Sequence, residues 1–381
     1  MELDQYRKEL DEINLDLLHL LEKRMEVVEK VAAYKLQHNL PILQQGREDE
    51  ILHRMCAESK EENHPAVREF FSMLMRISRE YQYDSRYQNT DLYHLLHNAA
   101  LKKNPLPASP KMICQGVLGS YSHQCAKEMF SAGSISFCKN FSDVFDAISE
   151  GQADVGILPI ENSSSGSILP VFDLMRKNRF YIYKSHKIKI NHCLLGLPGS
   201  KLPDITQVYS HEQGIWQCSD FLEEHSAIRS ATYSNTAAAA KFIKEKNDPH
   251  CGAIASKLCS SLYGLEVIEE GIQNISENYT RFIAITKEFC VPENANKISL
   301  FLNLPNRQGS LSEVLSRFAM NGLNLTKLES RPLGDGNFSF LFFLDFEGNI
   351  ANPSVEKLLC RLSEELDLFT FLGNYQEDNT I

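Results

Sequence analysis

Long apolar runs, paired cysteines and positive charge are what this sequence has least of. No apolar stretch approaches the length that crosses a bilayer. The strongest, FSFLFFLDF at Phe338–Phe346, is broken by Asp345 and has the length of a strand. The opening MELDQYRKEL carries charge where a secretory signal has an apolar centre, so a cytoplasmic protein is expected. The ten cysteines include no C-x-x-C pair, which removes the usual zinc and redox motifs. They read as free thiols used as small apolar residues in a reducing cytosol, and no metal is expected. A net charge of −11 argues against nucleic acid or an anionic membrane as the main partner. A local cluster of Arg and Lys can still hold a small anion. There is no G-x-G-x-x-G, hence no dinucleotide fingerprint and no expected cofactor.

What is present is a soluble globular composition, 43% hydrophobic and 23% charged, over 381 residues, enough for two or three domains. Residues 1–100 hold only two prolines, Pro41 and Pro65, and one glycine, Gly46. They read as three helices, Asp4–Asn39, Glu48–Lys60 and Pro65–Ala100, the first too long to bury its seam on the short second helix. Packing of long helices across a dimer is the natural remedy. The proline-rich 101–110 reads as a linker. From 111 to 288, strands such as ADVGILPI and CGAIAS alternate with helices such as TAAAAKFIKEK, predicting an open α/β sheet in two lobes around a cleft. From 297 to 376 the order is βαββαβ, the ferredoxin-like pattern of a small α+β domain.

In the first helix, wound at about 100° per residue, Arg24 and Lys35 fall within about 20° of each other. Their side of the helix also carries Leu3, Leu10, Ile13, Leu17, Leu20, Leu21, Val28 and Val31. Cations in an apolar stripe need compensation: a salt bridge to a neighbouring helix, a snorkelling stem, or an anionic ligand. Ser78 and Gln82 make one polar face on the third helix, and Arg47-Glu48 open the second. Arg7 points away from the other cations and would reach only a partner's pocket.

This combination resembles the all-helical chorismate mutases, which are intertwined helical dimers. The resemblance implies that Arg7 (from the partner subunit), Arg24 and Arg47 bind the carboxylates of chorismate. Lys35 and Gln82 would donate to the ether oxygen, Glu48 would hold the hydroxyl, and Ser78 and Gln44 would line the pocket. Gln44 departs from the acidic residue of many relatives.

In the α/β segment, the turn Gly119-Ser120-Tyr121-Ser122 joins a strand to a helix. Its backbone N–H groups suit a carboxylate, or Ser120 or Ser122 is simply a cap. Glu161-Asn162-Ser163 follows a buried strand, Ser210 and Gln217 follow another, and Thr236 starts a helix, where capping is its natural role. Thr280-Arg281-Phe282 precedes an apolar strand. Together these are similar to prephenate dehydratase, a two-lobed fold like that of periplasmic binding proteins. The resemblance implicates Thr280 in assisting departure of the ring hydroxyl, with Asn162, Ser210 and Gln217 as positioning groups. Ser120, Tyr121, Ser122, Glu161, Ser163, Thr236, Arg281 and Phe282 complete the implied binding set, with Arg281 alternatively a structural ion-pair partner.

Gly309-Ser310-Leu311-Ser312 and Glu329-Ser330-Arg331-Pro332 resemble the two signatures of amino-acid-binding ACT domains, the first altered at two positions. Such domains pair side by side, and the implied ligand is phenylalanine. The chain as a whole thus resembles bifunctional chorismate mutase/prephenate dehydratases with a regulatory ACT domain. A homodimer or a tetramer is expected, with phenylalanine inhibiting the dehydratase. A two-lobed solute-binding or sensory protein without catalysis is the competing reading.

Overall fold

The computed structural model describes residues 2–38, 40–83, 87–101, 106–306, 308–332 and 340–378. Parts of the expected linker (102–105) and of the Phe338–Phe346 strand (338–339), and the end of the first helix at Asn39, lie outside the described residues. Two compact units are present, Met1–His97 with Pro353–Asp367, and Asn98–Asn352 with Leu368–Ile381.

The first unit is helical. Helix α1 (Glu2–Gln37) has neither glycine nor proline to interrupt it, and Pro41 stands beyond its end. Helix α2 (Gln45–Glu58) begins earlier than expected. The single third helix expected at Pro65–Ala100 is in fact two, α3 (His64–Tyr83) and α4 (Asp91–Leu101), with a 3-10 turn at Tyr87–Asn89 before the second. The break has a local cause: Thr90 Oγ1 accepts from Tyr93 N–H at 3.0 Å, an N-cap that starts a new helix. Along α1 the apolar stripe stays uncovered in the single chain, with Leu3 60%, Leu10 58%, Ile13 53% and Leu20 63% exposed. The Pro353–Glu365 helix also belongs to this unit, its Lys357 ammonium lying over the Tyr87 ring.

Among the described residues, the second unit holds fifteen strands in two sheets. In chain order they are β1 (Lys111–Gln115), β2 (Ser134–Cys138), β3 (Val155–Asn162), β4 (Gly166–Ser167), β5 (Tyr181–Lys189), β6 (His192–Gly196), β7 (Gln207–Ser210), β8 (Arg229–Thr232), β9 (Cys251–Ser256), β10 (Glu266–Glu270), β11 (Tyr279–Thr286), β12 (Lys297–Asn303), β13 (Leu325–Pro332), β14 (Phe340–Glu347) and β15 (Phe369–Glu377). One lobe is built on the sheet β10-β6-β9-β7-β8. The other lobe and the C-terminal βαββαβ module share a single sheet, β13-β14-β12-β15-β5-β11-β3-β1-β2, because β15 pairs with β5 through Gln376↔Lys184 and Glu377↔Ser185. A common core seals the join: Ile283, Ile285 and Phe172 pack with Phe301, Phe343 and Tyr375.

The interior of the lobe that carries β3 explains its strand sequences. Val155, Ile157, Leu158 and Ile160 of β3 are all buried, as a strand covered on both faces requires. Helix α5 (Tyr121–Met129) starts at the Gly119–Ser122 turn and the helix Thr236–Lys246 follows β8. The positive φ of 87° at Gly309 sets the turn into the helix Ser310–Met320, a conformation only glycine adopts without strain.

Candidate active sites

In the helical unit, residues from three helices converge. Arg24 of α1 is half-buried, donating to Leu74 O at 3.1 Å and to the Ser78 hydroxyl. Lys35, three turns further along the same stripe, donates to Ile42 O at 2.7 Å. The acceptors for both cations are neutral, and neither makes a salt bridge among the described residues. Burial pulls the pKa of each below its ordinary value, with Glu48 opposing the shift at Lys35. Ser78, Gln82 and Arg79 are buried on α3, where Gln82 Nε2 donates to Ser78 O at 3.2 Å.

Arg79 is the residue the sequence reading missed. Its guanidinium holds both oxygens of Glu48, which ties α2 to α3 at the edge of the cluster. The MRISREYQ run placed Arg79 beside Ser78, but one cation among several on α3 gave no reason to select it. Three expected residues are not gathered by the single chain. Arg7 is exposed and paired with Asp4 at 3.4 Å, Arg47 is exposed and paired with Glu50 at 2.7 Å, and Gln44 is exposed ahead of α2 without a capping bond. Beside Arg24 an apolar cavity of about 570 Å³ opens between Leu17, Leu21, Phe70 and Leu74.

In the α/β unit, Asn162 and Thr280 face each other across paired strands. Register matches Thr280 with Asn162 and Arg281 with Glu161, then slips so that Phe282 faces Pro159. The extra residue, Ile160, is a bulge in β3, and it re-aims the two residues that follow it. Asn162 Nδ2 donates to Thr280 Oγ1 at 2.9 Å, to Asn278 Oδ1 at 2.8 Å and to Tyr279 O at 3.2 Å. Its Oδ1 accepts from the backbone and hydroxyls of Ser164 and Ser165 at 2.7–3.0 Å. The amide is therefore fixed, and Thr280 Oγ1, being an acceptor here, keeps its O–H for another group.

The second lobe closes on this loop. From the helix Glu212–Gln217, Gln213 donates to Ser165 Oγ at 2.7 Å and Gln217 to Ser164 Oγ at 3.4 Å. Behind Gln217, His192 Nε2 lies 2.9 Å from Gln217 Oε1, and Tyr121 Oη lies 3.4 Å from His192 Nδ1. Burial lowers the His192 pKa, so the ring is neutral and donates to Gln217. A cavity of about 450 Å³ adjoins Tyr121, with Lys127, Lys189 and Lys257 in its wall. Glu277 and Glu270 already pair with Lys189 and Lys257.

Several expected binding residues have other work. Ser120 caps α5, accepting from His123 N–H at 3.3 Å. Asn235, not Thr236, caps the Thr236–Lys246 helix through Ala238 N–H at 2.7 Å. Ser210 is fully buried and donates to Ile254 O at 2.7 Å, tying β7 to β9. Ser163 accepts from Tyr279 N–H at 2.9 Å and closes the β3–β11 ladder, while Ser122 is buried in α5. Phe282 is a core residue, packed with Met112, Ile157 and Ile188. Glu161 and Arg281 face the C-terminal module instead of Thr280: Lys327 donates to Glu161 at 2.6 Å, and Arg281 meets Asp345 at 2.6 Å. Arg281 thus forms an ion pair with Asp345 of the C-terminal module.

In the C-terminal module, Gly309 heads its helix and Ser310 Oγ donates to Pro305 O at 2.7 Å, while Leu311 and Ser312 follow in the first turn. Glu329 accepts from the Ser167 hydroxyl and lies 3.3 Å from Lys327 and from Arg331. Ser330 and Pro332 are exposed on β13, an edge strand open to a further strand.

Known proteins match along the same lines. Family models match as Chorismate mutase type II over residues 6–83, Prephenate dehydratase over 112–289 and ACT domain over 298–364. The bifunctional chorismate mutase/prephenate dehydratase of Escherichia coli is 30% identical, covering 98% of this chain and 96% of its own. Arogenate dehydratase 2 of Petunia hybrida is 34% identical over 81% of this chain and 83% of its own. A solved prephenate dehydratase from Arthrobacter aurescens in complex with L-Phe has 27% identity and a TM-score of 0.63, covering 70% of this chain and 89% of its own. With a mutase, a dehydratase and an ACT domain following one another in a single polypeptide, the chain belongs to the bifunctional chorismate mutase/prephenate dehydratase family of phenylalanine biosynthesis.

Proposed function

We propose that the helical unit rearranges chorismate to prephenate and that the α/β lobes convert prephenate to phenylpyruvate, each with the side chains described above. The observation that carries the first step is that Arg24 and Lys35 are partly drawn out of water, donate only to neutral acceptors and make no salt bridge among the described residues, with Glu48 as the one carboxylate acting on Lys35. A dicarboxylate supplies the missing counter-charge. The rearrangement is pericyclic and transfers no proton. As the ether C–O bond lengthens, negative charge grows on that oxygen, and donors fixed in advance stabilise it more than they stabilise the ground state. Lys35 and Gln82 are those donors. Arg24 holds a carboxylate, and Glu48, steadied by Arg79, takes the substrate hydroxyl. Arg47, beside Glu48 on α2, joins Arg24 on the carboxylates, and Arg7 completes the pocket from a second copy; the uncovered stripe of α1 supports a homodimer.

For the second step, the oriented Thr280 hydroxyl is the supporting observation. Prephenate loses its ring carboxylate as CO2, the released electron pair enters the ring, and the C4–O bond breaks as the ring becomes aromatic. Thr280 donates its hydrogen bond to the departing oxygen, which takes up one proton from solvent and leaves as water. Gln217 and the Ser164–Ser165 loop orient the substrate. A catalytic donor held this way favours turnover over the binding-only alternative.

Prephenate is the favoured substrate because the same chain produces it. Arogenate, named by the Petunia relative, is the competitor to assay beside it. Phenylalanine binds at the Gly309 turn and the β13 edge of paired modules and inhibits the dehydratase more than the mutase. The ten free thiols support a reducing, cytoplasmic setting. Assays of full-length Lys35→Ala and Thr280→Ala on both reactions test the scheme. Each variant should silence one reaction and spare the other; parallel loss of both, or of neither, would overturn it.

A further inference from the structure

The paired dipeptides Glu161-Asn162 and Thr280-Arg281 present two different faces. On one, Asn162 meets Thr280. On the other, Glu161 and Arg281 lie 3.8 Å apart and are gripped by the C-terminal module. Arg281 is 7% exposed and meets Asp345, which is wholly buried on β14, at 2.6 Å and Glu377 of β15 at 3.7 Å. Asp345 is itself held: Ser299 Oγ donates to its Oδ1 at 2.5 Å, and Ser299 and the Tyr375 hydroxyl are 2.7 Å apart. Lys327, on β13 two residues before the Glu329 signature, donates to Glu161 Oε1 at 2.6 Å and to Ser167 Oγ at 2.9 Å. Burial by itself would lower the Arg281 pKa, but Asp345, Tyr375 and Glu377 raise it above its ordinary value. The guanidinium is thus always charged and always needs its carboxylate.

We propose that the C-terminal module supplies positioning residues for the dehydratase reaction: Asp345 through Arg281, and Lys327 through Glu161, set the approach of Asn162 to Thr280. The proposal rests on Thr280 and Asn162 being the dehydratase site. A buried ion pair contributes little to stability compared with well-packed apolar residues. Its use here is geometric: a strand pinned on its charged face cannot shift on its reacting face, and displacements below an ångström there slow the reaction. Neither Asp345 nor Lys327 touches the reacting atoms, so neither is a catalytic residue.

The test uses the full chain and steady-state kinetics of both reactions. Asp345→Asn is expected to lower dehydratase kcat about 10- to 100-fold, with the KM for prephenate and the mutase rate little changed. Lys327→Met should act in the same direction. The double variant Arg281→Met/Asp345→Leu removes both charges, so neither is left buried and unpaired, and it is expected to stay folded where Asp345→Asn does not. If the pair only neutralises charge, the double variant regains wild-type kcat; if it positions Thr280, melting temperature recovers and kcat does not. A folded single or double variant with wild-type kcat overturns the proposal. Thr280→Ala run in parallel separates the failures: full activity there sinks the site assignment, whereas an inactive Thr280→Ala beside a fully active double variant sinks only the positioning role.

Discussion

The Asn162 amide donates to the Thr280 hydroxyl oxygen at 2.9 Å while its own oxygen accepts four hydrogen bonds from Ser164 and Ser165. This is a one-way arrangement. Asn162→Asp keeps the acceptor and the shape but replaces the donor by a second acceptor, so the Thr280 proton turns toward the carboxylate and away from substrate. Dehydratase kcat should fall about 100-fold, the scale of losing one preorganised donor. Stopped assays of phenylpyruvate formation measure it, and a wild-type rate would refute the orientation.

Arg79 should matter to the mutase although it donates to Glu48 and not to substrate. Arg79→Met leaves Glu48 unsteadied, and mutase kcat/KM should drop about 10-fold, the worth of one charge-assisted hydrogen bond. Arg79→Lys should retain most of the rate, because the contact runs through a single nitrogen to both carboxylate oxygens. Chorismate consumption by each variant decides this, with the dehydratase rate as internal control.

His192 should make the α/β unit acid-sensitive. Desolvation depresses its pKa in the folded state below the ordinary 6.5, the Gln217 hydrogen bond opposing only in part. The unfolded chain therefore takes the proton first. The stabilisation is complete above 6.5 and is lost as pH falls toward the folded value, by about 1.4 kcal/mol for each unit of depression. His192→Gln preserves a donor to Gln217 and does not titrate. The gap in melting temperature between wild type and variant should change in the variant's favour between about pH 7 and 5, and a constant gap would refute the assignment.

Phe282, for all its place in the motif, should be silent in catalysis. Phe282→Leu removes buried ring area beside Met112 and Ile188, costing about 1–2 kcal/mol. Calorimetry should show the loss, with kcat for prephenate within about twofold, below the effect of a lost substrate contact. A selective kcat collapse without destabilisation would return Phe282 to the site.

These outcomes separate what sequence could reveal from what it could not. Helical spacing alone put Arg24 and Lys35 on one stripe, and the alternation of strands and helices marked the lobes. Thr280 and Asn162 were each identifiable as motif residues, but their meeting depends on a bulge at Ile160 that no local signal announces. Period-two alternation in β11 already separated Arg281 from Thr280; what it faced was a sheet contributed by β12–β15, visible only once β15 was paired with β5. The Thr90 cap was legible as a Thr-Asp step and was overridden by the continuous helical pattern around it.

The β5–β15 pairing also dictates an order of assembly. Ser185 and Glu377, bonded at 3.4 Å, stand 192 positions apart in the chain. During synthesis β5 is an unprotected margin, and such margins recruit other chains before the rightful strand arrives. Maturation of the dehydratase lobe should accordingly be a late, slow, long-range event, and overproduction should strand partly made molecules in aggregates that cooler growth relieves.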